Sequence, residues 1–425
     1  MKILIVSENI SMNMGGESSL PFYYAKLFSE AGETVVLACH ERCKDEVEET
    51  FAGKVGKIVF VKDLYSQKLL HKLSKYLPYR IKDIVVGQLI HYLTQSQIRK
   101  EALKLVQSGE VDIVLEPSPI SPKGLSFMYG LGIPVAIGPL CGGMTFPPAF
   151  RGMDSFVTRS IINFGRMISE FLNKMVPGKI EADVLLVANE TTEKALPKAS
   201  RGEVIRIFES GVDLSIWNRN SEEESTTRDD EVRFVYSGRF VDWKGIQYLL
   251  PAFERAIQAS PNCILQLIGG GGEYQKHVEE LANNPKMGGR VDLIGWTERE
   301  NVAKIMRNAD VFVMPSLREC GGTAILEAMA LGLPVITTNW GGPADYVNSS
   351  CGILVEPSSE ENFIQGLADA IVTLCDDKEL RSQLSSGAIE RVKDDYLEWG
   401  AKGEKVLSIL RRVVDPGTNA VGKQD

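Results

Sequence analysis

Apolar runs of strand length alternate with stretches of helical periodicity along nearly the whole chain, and no other feature restricts its fold as much. The runs ILIVS (3–7), TVVLA (34–38), VDIVL (111–115), PVAIG (134–138) and DVLLV (183–187) come first. Near-continuous apolar strands separated by helices predict a parallel sheet covered on both faces. The pattern lapses into the acidic SEEESTTRDDE (221–231), which cannot bury a core and reads as a surface loop near a domain boundary. It restarts with VRFVYSG (232–238), CILQLIG (263–269), VDLIG (291–295), DVFVMP (310–315) and PVITT (334–338), so a second doubly wound domain is expected. Residues 360–413 carry helical periodicity, and the closing DPGTNAVGKQD is expected to fray.

Size and charge narrow the function. The 425 residues exceed the roughly 250–300 at which one core stops growing, which favours two domains. A net charge of −9 disfavours nucleic acid as a partner. The seven cysteines are scattered, without paired CxxC spacing, which fits a reducing compartment and gives no zinc pattern. MKILIVSEN breaks into polar residues too early for a secretory signal, and no run of about 18 uncharged apolar residues occurs, so a cytoplasmic protein is expected.

Open parallel sheets bind ligands outside the carboxyl ends of their strands, so two such domains facing each other would place a site in the cleft between them. The distinctive motifs stand at strand ends. Gly15 and Gly16, after the first strand, suit either backbone approach to an anion at a helix start or a simple tight turn. Arg239 and Lys244, in YSGRFVDWKG, are two cations at a strand mouth and suit a diphosphate, although a solvated loop would also carry them.

In MPSLRECGGTAILEAMALGLPVITT a glycine turn meets a helix beginning near Thr323, so the amides of Gly321, Gly322 and Thr323 can receive an anion. Glu319 and Glu327 flank that turn and could reach opposite ends of one ligand, since carboxylates accept hydrogen bonds from vicinal hydroxyls. Helix capping is the alternative reading of Glu327.

Carrying these motifs together with ESGVD (209–213), GWTERENV (295–302), EAMALGLPVI, GGPADYV and GILVEP, the chain resembles the retaining glycosyltransferases of family 4 over nearly its whole length. The resemblance implies an α/β GT-B fold of two Rossmann-like domains facing each other across a cleft. It puts the acceptor-side domain at 1–202, with a C-terminal helix at about 396–415 returning to it. The donor domain would be 203–395, and 416–425 a flexible tail. It further implies Glu319 on the donor sugar's hydroxyls, Glu327 on the ribose, Arg239 and Lys244 on the diphosphate, and Gly15 and Gly16 as the amino-terminal glycine turn. Trp296 and Thr297 would lie at the base, unless Trp296 is core. Arg239, Lys244 and Glu319 are thus the expected catalytic residues, with no metal or cofactor. The diphosphate's departure would leave an oxocarbenium-like sugar attacked from the same face.

Many relatives carry a histidine in the first domain where this chain reads GPLCGGMTFPPAF, so Glu116 and the turn Cys141, Gly142 and Gly143 are expected to face the cleft instead. No role falls to His40, His71, His91 or His277. Cys320 stands where relatives usually carry an aromatic, which bears on sugar preference. UDP-glucose is the expected donor and an exopolysaccharide or lipid-linked glycan the expected product.

Residues 62–91 hold six Lys or Arg against two Asp among apolar residues at helical spacing, and Arg151, Arg159, Arg166, Lys174 and Lys179 follow downstream. These suggest peripheral contact with an anionic membrane at its inner face; a solvated helix pair is the alternative. Rival functions are another nucleotide-sugar enzyme such as an epimerase, a dinucleotide-dependent oxidoreductase, and a non-catalytic sugar-binding protein. Against the oxidoreductase, no GxGxxG follows the first strand.

Overall fold

The computed structural model describes residues 1–74, 86–154, 156–219, 231–394 and 397–415. The acidic stretch at 221–230, the tail at 416–425 and the middle of the basic 62–91 segment lie outside the described residues. The chain forms two compact units, one of residues 1–143, 160–209 and 400–425, the other of 144–159 and 210–399.

The first unit is built on a seven-stranded parallel sheet ordered β3-β2-β1-β4-β5-β6-β7. Its strands are β1 (Lys2–Val6), β2 (Thr34–His40), β3 (Lys57–Val61), β4 (Ile113–Glu116), β5 (Val135–Leu140), β6 (Val184–Val187) and β7 (Glu203–Arg206). Every residue of β4, β5 and β6 is buried, as expected where helices cover both faces. The helices that concern the argument are α1 (Gly16–Glu30), α2 (Lys44–Phe51), α3 (Tyr65–Ser74), α4 (Gly87–Gln107) and α5 (Phe156–Met175).

The second unit holds a six-stranded parallel sheet ordered β10-β9-β8-β11-β12-β13. These are β8 (Val232–Gly238), β9 (Cys263–Gly269), β10 (Val291–Gly295), β11 (Val311–Met314), β12 (Val335–Thr338) and β13 (Gly352–Val355). Its helices include α6 (Ile246–Ala259), α7 (Arg299–Arg307), α8 (Thr323–Ala330) and α9 (Glu360–Asp376).

The expected boundaries shift in two places. Residues 203–206, assigned by sequence to the second domain, form β7 and pair with β6 from Val184↔Glu203 to Val187↔Arg206, so backbone hydrogen bonds tie them to the first sheet. Residues 144–159 cluster with the second unit because Phe150 packs edge-on against Tyr248 of α6 and Phe363 of α9, with ring centroids 5.4 and 5.8 Å away. The last helix, α10 (Trp399–Val414), packs on α1 in the first unit, where Gly403 lies so near Leu27 that an added Cβ would sit 2.8 Å from Leu27 Cδ1. Arg411 also pairs with Glu33 there.

In both sheets the winding reverses direction about the first strand, between β1 and β4 and between β8 and β11. Loops leaving those strands diverge and open a crevice at the carboxyl edge. The sequence motifs fall at these two reversals.

Candidate active site

At the β8/β11 reversal, two loops are stitched together. β8 ends at Gly238; Arg239 follows, exposed, its carbonyl accepting a 2.9 Å hydrogen bond from the buried Tyr236 hydroxyl. The chain then makes a short turn at Asp242–Lys244 and starts α6 through Gly245, whose φ is +70°. A Cβ at Gly245 would fall 1.9 Å from the Pro315 carbonyl oxygen, so only glycine permits this approach. Leu317 N donates to the Trp243 carbonyl at 2.8 Å. Held this way, the Lys244 ammonium donates to Oε2 of Glu319, with each side chain about one-fifth exposed.

The loop after β11 is fixed from the other side. Gly342 N donates to the Glu319 carbonyl at 3.0 Å, and a Cβ on Gly342 would stand 1.9 Å from the Cys320 carbonyl oxygen. Gly322, at φ +103°, opens α8 without any side-chain cap, leaving the first amides of that helix to meet an outside acceptor. Glu327 sits in the second turn of α8, its side chain 14% exposed. Burial pushes its carboxyl up to about 7 despite the opposing charge and hydrogen bond of Arg299, 3.4 Å away. Arg299 also lies over the Trp217 ring at 5.8 Å.

The structure therefore brings Lys244, Glu319, Gly321, Gly322, Thr323 and Glu327 to one strand edge, with Arg239 at the mouth of β8. Trp296 and Thr297 leave β10 and lead into α7, whose first residue is the arginine paired with Glu327. Trp296 is 83% exposed, so the alternative that it is core fails. Arg299 escaped the sequence reading, although its position inside GWTERENV beside the expected base contacts was an available signal.

The first unit corrects several expectations. Glu116 does not face open space: it is 1% exposed, accepts from the Ser126 hydroxyl, and has one carboxylate oxygen with no hydrogen-bond partner. Burial raises its pKa, and burial lowers that of Lys179, which it faces electrostatically and which donates to the Ser121 carbonyl. Cys141 is also buried. The glycines beside it are demanded by packing: a Cβ at Gly142 would meet Pro122 at 2.6 Å, and one at Gly143 (φ +80°) would meet Ala195 at 2.8 Å. Gly15, at φ +100°, and the exposed Gly16 do form the turn into α1, and Glu46 of α2 pins the loop by accepting from Met12 N at 2.7 Å and from the Ser11 hydroxyl.

The polar groups that this unit does gather at its strand ends are ones the sequence left without a role. Glu8, after β1, pairs with Arg42 at 3.1 Å and with His91 of α4. His40, ending β2, lies 3.2 Å from Asp63 and 3.1 Å from Arg42 Nε. Burial works to raise the Glu8 pKa, but the hydrogen bond and charge of His91, with Arg42, outweigh it and hold the carboxyl below its ordinary range. Among the described residues, no group of three or more His, Cys, Asp or Glu is placed to hold a metal ion.

Residues 218–391, which carry the β8/β11 site, match the family described as glycosyl transferases group 1. A relative in Corynebacterium glutamicum, a GDP-mannose-dependent monoacylated alpha-(1-6)-phosphatidylinositol monomannoside mannosyltransferase, is 28% identical over 246 residues, 54% of this chain and 62% of the relative. The lipopolysaccharide core biosynthesis glycosyltransferase LpsE of Rhizobium meliloti is 34% identical over 160 residues, 37% of this chain and 44% of the relative. The chain spans about half the length of the curated relatives it matches. Among solved structures, Anabaena HepE in complex with UDP superposes with a TM-score of 0.65 at 17% identity, covering 97% of this chain and all of that one. WaaG, a glycosyltransferase of lipopolysaccharide biosynthesis, gives 0.59 at 14% identity over 96% of this chain and 99% of that one. At such identities the likeness establishes the fold, which is GT-B.

Proposed function

We propose that this chain is a group 1, retaining hexosyltransferase that moves glucose from UDP-glucose to a glycan or lipid-linked glycan during exopolysaccharide synthesis in the cytoplasm. One observation carries the reading: Glu319 and Glu327, at the two ends of the turn that opens α8, each pair with a cation, Lys244 and Arg299, at the crevice of the second sheet. Carboxylates spaced across an anion-receiving turn suit a ligand with hydroxyls at both ends and phosphate between them, which describes a nucleoside diphosphate sugar.

In this reading Glu319 accepts from the sugar hydroxyls and Glu327 from the ribose. Arg239, Lys244 and the amides of Gly321, Gly322 and Thr323 meet the diphosphate, while Trp296 and Thr297 lie at the base and Gly15 and Gly16 at the donor's other side. As the glycosidic bond breaks, negative charge grows on the departing diphosphate, and fixed cations and amides stabilise it without a metal ion or other cofactor. The leaving group takes the acceptor's proton, and attack from the same face retains the anomeric configuration. UDP as the nucleotide is supported by HepE, crystallised with UDP-glucose. GDP-mannose, named for the Corynebacterium glutamicum relative, is the second donor to test.

A thermal-shift titration with UDP, GDP, ADP and their common sugars tests the donor, because a ligand that binds only the native state raises the melting temperature. Saturable stabilisation by UDP and UDP-glucose is expected, and NMR of the product should show the donor's anomeric configuration. Stabilisation by GDP-mannose alone would replace the donor, and no response to any nucleotide would overturn the reading.

A further inference from the structure

The segment MTFPPAFRGMD (144–154) leaves the first unit after Gly143 and clusters with the second, and adjacent Pro147 and Pro148 stiffen it by fixing their own φ. A short turn over Pro148–Met153 follows, closed by Phe150 N donating to the Pro147 carbonyl at 2.9 Å. Phe150, packed against Tyr248 and Phe363, is its apolar anchor. Its other grips are polar and directional. The Thr145 carbonyl accepts from Trp340 Nε1 at 2.7 Å, and Asp154 accepts from Arg318 Nη1 at 3.3 Å. The buried Phe146 ring lies under the Arg318 guanidinium, its centroid 4.6 Å away. Packing needs only Phe150, whereas hydrogen bonds, an ion pair and a ring stack at defined atoms also fix orientation.

Both gripped residues border the backbone of Glu319. Arg318 precedes it, and the amides of Leu317 and Arg318 donate to the Trp243 carbonyl at 2.8 and 3.4 Å, in the loop that carries Lys244. Trp340 leads into Gly341 and Gly342. Gly342 N holds the Glu319 carbonyl at 3.0 Å, and a Cβ on Gly341 would fall 2.8 Å from that same oxygen. The Glu319 loop is thus bounded by Trp243 and by Gly341–Gly342, and the 144–154 segment fastens residues at both borders. Charge gives the grip a second use. The Arg318 and Asp154 side chains are 32% and 18% exposed, so water screens their attraction only in part. A guanidinium left loose beside Glu319 would compete with Lys244 for its carboxylate. Asp242, which starts the Lys244 turn, feels both groups: burial raises its carboxyl pKa, Asp154 adds to the rise and Arg318 opposes it.

We propose that the 144–154 segment sets Glu319 in place for the donor's sugar, with Asp154, Phe146 and Arg318 as positioning residues. The inference rests on the reading that Glu319 meets the sugar hydroxyls, and its test separates the two. Hydrogen exchange of the ligand-free full chain reads the grip without any nucleotide. Asp154→Asn should speed exchange at the Leu317, Arg318 and Gly342 amides at least about fivefold and leave the β9 amides unchanged. With whichever nucleotide stabilises wild type, the variant should bind the free nucleotide within about twofold of wild type, while kcat with the matching nucleotide sugar falls about tenfold. Asp154→Glu, which keeps the charge, should recover most of that loss. A merely structural role would instead move the melting temperature, nucleotide affinity and kcat together. Should Asp154→Asn unfold, Phe146→Leu carries the same measurements. Unchanged exchange at the three amides overturns the proposal, as does faster exchange with wild-type kcat or with an equal loss of nucleotide affinity. A wild type that binds no nucleotide would overturn the donor reading and with it the sugar role, while exchange still decides whether the segment holds the Glu319 loop.

Discussion

The Lys244 ammonium donates a hydrogen bond to the Glu319 carboxylate across 75 residues of sequence, joining the loop that leaves β8 to the loop that leaves β11. Each is about one-fifth exposed, so the pair stands at the crevice rather than within the core. A cation that meets charge growing on a departing diphosphate acts mainly in the transition state. Lys244→Ala is expected to lower kcat/KM more than tenfold, which steady-state kinetics would read. The double variant with Glu319→Gln should lose less than the product of the two single losses, because the groups share one interaction. Unchanged kinetics for Lys244→Ala would remove it from the mechanism.

Glu327 couples the site to pH. Its carboxyl is raised to about 7 in the folded protein, above its ordinary value of 4.5, so between these values the folded state binds more protons than the unfolded one. Stability from this group is full below about 4.5 and is lost as pH rises through about 7. Glu327→Gln should therefore raise the denaturation free energy at alkaline pH, by about 1–3 kcal/mol, and change it little in acid. Nucleotide affinity should move the opposite way, strengthening in wild type as the carboxylate ionises and weakening in the variant. Denaturant titration and calorimetry across that range check both.

Gly245 is the backbone support of Lys244. A side chain there requires the left-handed φ of +70° and a displaced Pro315 carbonyl. Gly245→Ala should cost on the order of 2 kcal/mol or more and lower nucleotide affinity as well, because the two loops separate. Chemical denaturation with nucleotide titration would show both losses; a stable variant with normal affinity would contradict the role given to the contact.

Trp296 separates packing from binding. With 83% of its surface exposed, Trp296→Ala should change stability by no more than about 0.5 kcal/mol, while weakening nucleotide binding severalfold. A large loss of stability would return Trp296 to a structural role.

In the first unit, Lys179→Met should destabilise by about 3–5 kcal/mol, because it leaves the buried Glu116 without its opposing charge. Adding Glu116→Gln should recover part of the loss, as melting curves of the single and double variants would show.

What could be read along the chain followed local periodicity. The runs at 3–7, 111–115 and 134–138 overlap β1, β4 and β5, buried strands apart from Lys2, where nearly every position is apolar and Glu116 is the charged exception, so composition marks them. β3, β7 and β13 were not read as strands. KIVFV and EVIR keep exposed positions at the two ends of the first sheet, and GILV closes the second, so each borders only one strand and is less buried than the central strands. The glycine turn at 321–323 and the flanking glutamates were legible because loop, helix start and both carboxylates lie within one short stretch.

The sequence by itself determined two doubly wound sheets and an uncapped glycine turn at the start of α8, because strand burial, glycine dihedrals and helix termini are set by neighbouring residues. Which charges meet was decided by strand order: Lys244 reaches Glu319 because β8 and β11 lie side by side in the sheet, and Arg299, at the start of the helix after β10, reaches Glu327 from three strands away. Glu116, read as facing the cleft, is buried because the segment carrying Ser126 folds over it. The polarity of α5 is the clearest case. Its periodicity shows two faces, but only the Lys123 carbonyl, waiting under Ser169, turns the polar one inward and leaves the phenylalanines and methionines outside.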